Sequence, residues 1–288
     1  MTTEHKLKAQ LRRLTDGAAT GVAVLSTVLV VAPLVAIFVY LVYKGASSLN
    51  LDFFIKTPKD VGEVGGGMAN AIRGSAILLA LGSLIGVPIG IGGGIFLAEF
   101  GRGTKLANAV RFTADVLNGV PSIVMGMAAY SLVVVPFGGF SAFSGGVALG
   151  IMMIPTVCRT TEEMLLMVPN AVREAALALG VPNWRSVLAI TVKTASPGII
   201  TGCMLAFARV AGETAPLIFT AFGNRYWSFD LTKPIAALPL QIYIYAISPY
   251  DDWHRLAWAG ALVLIVLIVA AVSLVRYVTS RGVLKGAS

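Results

Sequence analysis

Three arginines, Arg73, Arg159 and Arg209, fall inside long apolar runs of this sequence. A charged side chain costs about 2.5 to 3.5 kcal/mol at the centre of a membrane-spanning helix, so each of them requires a reason to be there. A guanidinium group is a planar fork that can bind two oxygens of an oxyanion at once. Arg159 and Arg209 are therefore candidates for lining a path that carries an anion across a membrane.

Acidic residues follow two of these arginines at helical spacing. Glu162 and Glu163 follow Arg159 by three and four residues, and Glu213 follows Arg209 by four. Residues at these separations share a helix face, so each arginine can pair with an acid one turn away. The pairs could weaken anion binding enough to allow release, or they could be structural ion pairs that never touch a substrate. Both interpretations stay open for the four candidate path residues, Arg159, Arg209, Glu162 and Glu213.

The three arginines are expected at different depths. Arg73 is near one end of its run and can extend its guanidinium to the lipid headgroups. Arg159 comes 14 residues after Gly145, and Arg209 comes 14 residues after Ala195. At 1.5 Å per residue, each is roughly 20 Å from the start of its run. Both are therefore predicted near the middle of the membrane.

Other kinds of chemistry have no motif in this chain. The sequence contains no GxxxxGK[ST] nucleotide loop, no HExxH zinc motif and no cysteine–histidine cluster. Cys158 and Cys203 stand alone in apolar runs, and His5 and His254 lie outside such runs. No metal or cofactor site and no catalytic residue is expected, and the chain has no usual motif for binding a nucleotide.

The elements that must position these residues are membrane-spanning helices. The chain has 288 residues, of which 57% are hydrophobic and 12% charged, and its mean hydropathy is +0.83. One soluble core cannot bury so much apolar surface. A spanning helix needs about 20 apolar residues. The sequence predicts an all-α polytopic membrane protein with about six spans, at residues 18–43, 71–98, 113–136, 143–167, 195–222 and 256–279.

Basic residues are unevenly distributed between the loops. With loops assigned to alternate sides, thirteen of the 22 lysines and arginines lie on one side, six lie on the other, and three fall in spans. The positive-inside rule then predicts cytoplasmic tails at 1–17 and 280–288, around a transmembrane domain at 18–279. The bases form no stripe among aromatic residues, so no nucleic-acid partner is expected despite the net charge of +8.

Two further features of the runs predict local structure. Segment 235–248 is apolar but too short to span, and it contains Pro239, so we expect a re-entrant or interfacial segment on the outer side. The second run repeats glycine every four residues, which predicts a helix face of bare backbone for close helix packing. Its members are Gly82, Gly86, Gly90 and Gly94.

Loop 168–193 is predicted to form two short amphipathic helices around a corner. Gly180 supplies a left-handed stop to the first helix. The apolar positions of that helix are Val172, Ala175, Ala176 and Leu179, and those of the second helix are Trp184, Val187 and Leu188. Such faces either lie on the bilayer surface or dock onto a partner, because they would otherwise face water.

This loop resembles the EAA signature of ABC-importer permeases, E-A-A-x3-G-x9-I-x-L-P. The matching residues are Glu174, Ala175, Ala176, Gly180 and Ile190, whereas the final Leu-Pro is replaced by Val192 and Lys193. Two longer segments resemble the phosphate permeases of that family: ALGVPNWRSVLAITVKTASPGIITG and ARVAGETAPLIFTAFGN. The resemblance covers essentially the whole chain.

The resemblance implies a type I, MetI-like permease fold in a bacterial inner membrane, with inorganic phosphate as cargo. It implies that Glu174, Ala175, Ala176 and Gly180 couple the chain to an ATPase. The partners implied are a homologous second permease subunit, two copies of the ATPase subunit and a periplasmic phosphate-binding protein. Alternatives are a permease for another oxyanion or an organic cargo, an ion-coupled secondary transporter, and a non-transporting scaffold or phosphate-sensing component.

Overall fold

A computed structural model describes residues 3–60, 63 and 65–285 of the chain. Within these residues the fold is all-α, with one isolated β-bridge between Phe222 and Ile235. A π-helical turn, Phe96–Phe100, extends α3, and further π-helical turns lie within α5 and α8. The helices are α1 (Thr3–Ala46), α2 (Leu51–Ile55), α3 (Ala69–Ile95), α4 (Lys105–Gly119), α5 (Ser122–Phe137), α6 (Ala142–Leu166), α7 (Asn170–Ala178), α8 (Asn183–Ala211), α9 (Ala215–Thr220), α10 (Leu238–Ala246) and α11 (Asp251–Lys285).

Five helices of the described part of the chain are long and apolar enough to span a membrane: α1, α3 with its extension, α6, α8 and α11. The number becomes six if the bent pair of α4 and α5 counts as one span. The predicted all-α polytopic fold is therefore confirmed, and four of the six predicted runs match single helices closely.

The third predicted run, 113–136, is not one straight helix. It divides into α4 and α5, which meet at an angle of 110°. The break falls at Val120 and Pro121, and Val120 has extended backbone (φ −70°, ψ 133°). Proline lacks an N–H group and disfavours helical backbone in the residue before it, so the helix ends there even though the sequence remains apolar.

The fifth predicted run, 195–222, is displaced in the structure. Its helix, α8, begins at Asn183 and ends at Ala211. The predicted second helix of loop 168–193 is therefore the first part of this long helix and not a separate element. After Gly212 the chain turns into the short α9, whose early Pro216 cannot donate a backbone hydrogen bond to a preceding turn.

Helix α6 is the centre of the fold, and α3 packs along it through the predicted glycine face. A Cβ atom built on Gly86 would lie 2.7 Å from the carbonyl oxygen of Gly150 and from the Cβ of Met153. One on Gly90 would lie 2.6 Å from the Cβ of Val157. Bare backbone is therefore what lets the two helices approach, as predicted for a small-residue face.

Helix α8 packs antiparallel to α6 on another side. The backbone of Gly202 lies against Thr160, and that of Gly198 lies against Met164. These two contacts fix the register, because a residue one step further along α8 faces a residue one step earlier along α6. The apolar core lies among α3, α6 and α8, and it includes Leu149, Met153, Ile199 and Ala206.

The bundle has two ends, which we call the α7 end and the α10 end. Helix α10 has nine residues, and its Leu238 N–H donates to Ser75 Oγ near the start of α3 at 2.6 Å. Its length of about 14 Å is too short to span a membrane. This agrees with the prediction that segment 235–248 is not a span. Helix α7 lies at the other end, beyond the last residue of α6.

Candidate functional site

The predicted site residues lie in two places. Glu174, Ala175, Ala176 and Gly180 are in and just after α7, while Arg159, Glu162, Arg209 and Glu213 lie along α6 or near the end of α8. The α7 end and the bundle interior are considered in turn.

Gly180 ends α7 in the left-handed conformation that the sequence predicts, with φ of +76°. Its N–H donates to Leu177 O at 2.9 Å, and the Val181 N–H donates to Ala176 O at 3.2 Å. These two bonds define a Schellman motif. No heavy atom lies within 4 Å of a Cβ built on Gly180. Glycine is needed here for its backbone conformation and not for lack of space.

The surface of α7 differs from the predicted apolar face. Ala176 is buried, whereas Ala175 and Glu174 are exposed. Four large apolar side chains are exposed around the corner, three of them at predicted apolar positions, and we call this set the α7 surface. It consists of Leu177 (50% exposed), Leu179 (84%), Trp184 (60%) and Leu188 (55%). An apolar cluster beside an exposed carboxylate suits a docking surface for another protein.

Arg173, the residue before Glu174, points inward. Its Nη2 lies 2.7 Å from Glu99 Oε1 and donates to Leu165 O at 2.6 Å, and its Nη1 donates to Val168 O at 2.5 Å. The side chains of Arg173 and Glu99 are only 14% and 8% exposed. One guanidinium therefore contacts the extension of α3 and the end of α6.

Arg159 pairs with Glu162 as predicted, with Nη1 to Oε2 at 2.7 Å. Two partners were not predicted: Asp115 of α4 lies 3.0 Å from Arg159 Nε, and Arg111 Nε donates to Glu162 Oε1 at 2.6 Å. Glu162 is buried, and it bridges two guanidinium groups. Glu163 is exposed, and no hydrogen bond or ion pair joins its side chain to another described residue.

Arg209 and Glu213 do not form the predicted pair. Helix α8 ends at Ala211, so Glu213 lies beyond it and the helical spacing no longer applies. The Arg209 side chain is exposed and makes no hydrogen bond or ion pair within the described residues. It shares an exposed helix face with Thr201 and Leu205, which precede it at four-residue intervals.

The two arginines predicted near the middle of the membrane, Arg159 and Arg209, are not at one depth, contrary to the prediction. The register of α8 on α6 places Arg209 level with Met153, close to the middle of α6. Arg159 is six residues further along α6, about 9 Å towards the α7 end. Arg73 lies near one end, as predicted, with its guanidinium carbon 3.6 Å from the ring centroid of Phe229.

Four important side chains were missed by reasoning from sequence: Glu99, Arg111, Asp115 and Arg173. Arg111 and Arg173 were counted only as loop charges, and Glu99 stands 74 residues from its partner. A carboxylate or guanidinium at the end of an apolar run is a weak signal by itself. Within the described residues, no group of three histidine, cysteine or acidic side chains could hold a metal ion.

A multi-pass helical bundle whose α7 exposes Glu174 and Ala175 and ends at a left-handed glycine fits a membrane permease. Residues 90–282 match the family model described as "Binding-protein-dependent transport system inner membrane component". The chain belongs to this family, whose members are transport permeases of ABC importers and not enzymes.

Relatives and solved structures agree with this assignment. The chain is 46% identical over 270 residues to the phosphate transport system permease protein PstA of Xylella fastidiosa (strain Temecula1), covering 93% of each chain. It is 43% identical over 261 residues to PstA of Haemophilus influenzae, covering 91% of this chain and 92% of that one. A solved structure of the inward-facing MetNI methionine ABC transporter matches with a TM-score of 0.57 at 20% identity, over 77% of this chain and 97% of that one. The MetI-like permease fold is therefore confirmed.

Proposed function

We propose that this chain is the membrane-spanning permease subunit of an ATP-driven importer that moves inorganic phosphate by alternating access. The observation that carries the proposal is the 46% identity to a phosphate permease over 93% of both chains. Its partners are a homologous permease subunit, two copies of an ATPase subunit and a periplasmic phosphate-binding protein.

The α7 surface is the proposed contact with the ATPase. Glu174 and Ala175 are exposed on α7, and Gly180 fixes the corner that follows them. Leu179 and Trp184 add apolar area that the isolated chain leaves uncovered. Burial of such area against a second protein is favourable in proportion to its size. The Glu-Ala-Ala residues and Gly180 therefore serve coupling.

Arg209 and Arg159 are the proposed cation groups of the anion path. Arg209 is level with the middle of α6, and its guanidinium has no partner among the described residues, so its fork is available to an oxyanion. Arg159 lies about 9 Å nearer the α7 end and is paired with Glu162 and Asp115. An anion would meet the unpaired arginine first and then one whose charge is already compensated, which favours release.

Orientation follows from the charge bias. The side of the membrane that carries thirteen basic loop residues also carries both termini. Because basic loops are retained in the cytoplasm, both termini face the cytoplasm. The α7 end, which includes Arg173 and Arg185, then lies on the cytoplasmic side of an inner membrane, where an ATPase can reach it.

Uptake by proteoliposomes tests the proposal. The chain is purified with its co-purifying subunits, reconstituted and given the binding protein and radiolabelled phosphate. We expect uptake that requires ATP, persists without a proton or sodium gradient, and resists competition by sulfate. Uptake driven by an ion gradient without ATP would establish the secondary-transporter alternative, and loss of label uptake in excess sulfate or an organic solute would establish a different cargo.

A further inference from the structure

The Arg173 guanidinium uses its donors entirely within the protein. Nε and Nη2 donate to the carboxylate of Glu99, at 3.2 and 2.7 Å to Oε1, while Nη1 and Nη2 also donate to backbone carbonyls. Arg173 precedes the α7 surface in the sequence, but its side chain points into the bundle and not towards the proposed ATPase contact. Arg173 is unsuited to contacting the ATPase directly and well placed to hold α7 against the bundle.

The two carbonyl acceptors explain why an arginine is suited to this position. Leu165 lies in the last turn of α6, where its carbonyl also accepts the Val168 N–H at 3.2 Å, and Val168 lies in the short linker just after the helix. The last carbonyls of a helix have no partner in a following helical turn, so they need donors from elsewhere. Arg173 supplies donors to both of them. A cation at a helix C-terminus is also favoured by the helix dipole. The same group therefore caps α6 and neutralises Glu99.

Three elements meet at this one contact. Glu99 belongs to the π-helical extension of α3, the Leu165 carbonyl belongs to the last turn of α6, and Arg173 belongs to α7, while the Val168 carbonyl lies in the linker between α6 and α7. Helices α3 and α6 already pack backbone to backbone through the glycine face, so they can move as one body. Between α6 and α7 the chain has only residues 167–169, and Pro169 prevents α6 from continuing as a helix.

We propose that Arg173 and Glu99 are positioning residues that transmit displacement of α7 to α3 and α6, which makes conformational change in the membrane follow the ATPase. The inference rests on the proposed function. Without the pair, α7 could turn about residues 167–169 while α3 and α6 remained in place. ATP hydrolysis by the ATPase would then continue with little transport of phosphate.

The test measures phosphate uptake and ATP hydrolysis in the same proteoliposomes, with the chain in its complete transporter. For Glu99→Gln and Arg173→Gln we expect uptake per ATP hydrolysed to fall at least ten-fold, while the amount of co-purifying ATPase stays unchanged. Glu163→Gln is the matched control, since Glu163 is an exposed acid near the same end of α6 with no partner among the described residues. It should keep the wild-type ratio.

Two further variants separate positioning from simple stability. Arg173→Lys keeps the charge but loses the planar guanidinium fork. Its phosphate uptake per ATP hydrolysed should therefore fall between the values for the wild type and Arg173→Gln. The exchange Glu99→Arg with Arg173→Glu restores the ion pair but not the caps on Leu165 and Val168, because a carboxylate cannot donate. Its ratio should exceed that of either single exchange.

The outcomes distinguish this inference from the proposed function. Wild-type uptake that requires no ATP would overturn both. If wild-type uptake requires ATP but Arg173→Lys and Glu99→Gln keep the full ratio, even at lower protein yield or thermal stability, the pair only stabilises the fold and the positioning role is wrong. Should Glu99→Gln fail to accumulate, the ratio of Arg173→Lys decides alone.

Discussion

Arg111 Nε donates to Glu162 Oε1 at 2.6 Å and thereby joins α4 to α6 across 51 residues of sequence. The other carboxylate oxygen of Glu162 accepts from Arg159 at 2.7 Å. The side chains of the two arginines are 28% and 30% exposed, whereas that of Glu162 is only 3% exposed. The acid is thus the buried member that holds two partly hydrated bases together.

Replacing Glu162 by glutamine should destabilise the protein by on the order of 2 kcal/mol, because Arg111 and Arg159 would lose the carboxylate that bridges them and only Arg159 would keep an acidic partner, Asp115 at 3.0 Å. This is below the about 3 to 5 kcal/mol for a fully buried pair, since water still reaches both arginines. Thermal unfolding of purified protein in detergent measures the effect. Glu163→Gln, one residue away and exposed, should leave the melting temperature unchanged, and an equal loss in the two variants would refute the bridging role.

The glycine face of α3 gives a second stability prediction. Gly86→Ala should cost about 1 to 3 kcal/mol, because the new methyl group meets the Gly150 carbonyl oxygen and α3 must move away from α6. Gly92→Ala is the matched control, since no heavy atom lies within 4 Å of its Cβ position and alanine favours the helix. The melting temperature of Gly86→Ala should be lower than that of the wild type, and that of Gly92→Ala should be higher. Equal values would show that α3 adapts without loss.

Gly180→Val should reduce uptake strongly while the protein still accumulates in the membrane. Space is available for the side chain, but φ of +76° is unfavourable for a β-branched residue, so the corner after α7 must change. Gly180→Asn should be milder, because asparagine tolerates this conformation. Uptake at matched membrane levels is the measurement. Normal transport by Gly180→Val, or its absence from the membrane, would exclude a coupling role.

Arg209→Gln should abolish phosphate uptake while insertion and ATPase association persist, and Arg209→Lys should recover only part of the activity. Since Glu213 is not the partner of Arg209, adding Glu213→Gln should give no rescue, and Glu213→Gln alone should keep substantial uptake. The four variants are compared by initial rate at equal protein level. Rescue by the double variant would indicate an ion pair and would exclude the anion-path role of Arg209.

Membrane orientation can be checked independently of transport. A reporter enzyme that is active only in the periplasm, fused after Ser288, should be inactive, and a cytoplasmic reporter at the same position should be active. The reason is the excess of basic residues on the side that carries both termini. The opposite pattern would contradict a cytoplasmic C-terminus, and it would require either an inverted orientation or an odd number of spans.

Periodicity and composition predicted most of the helices, because a lipid environment demands continuous hydrogen bonding over about 20 apolar residues. The breaks were harder to predict. Val120–Pro121 interrupts a run that hydropathy alone reads as continuous, and Gly212 ends α8 inside another. The glycine face of α3 and the corner at Gly180 were predicted correctly, since each depends on one residue type with one physical consequence.

Site residues were predictable only where both partners lie on the same helix. Arg159 and Glu162 are three residues apart in α6, so their pairing follows from helix geometry. Arg173 and Glu99 meet because α3 and α6 end at the same level, which is a property of the whole bundle. The supposed pair of Arg209 and Glu213 failed for a local reason, because the helix that would have aligned them stops between them.

The position of α1 has a consequence for how the protein is made. Gly45 packs its backbone against Trp258 and Leu262 of α11, and the rings of Tyr40 and Trp258 meet edge to face at 5.3 Å. Much of the surface of α1 is otherwise exposed. Because α1 precedes α11 in the chain, it reaches its place in the bundle only after α11 has been made and inserted. Until then α1 must reside in lipid by its own hydrophobicity, and a break in synthesis before Trp258 would leave it without its native neighbour.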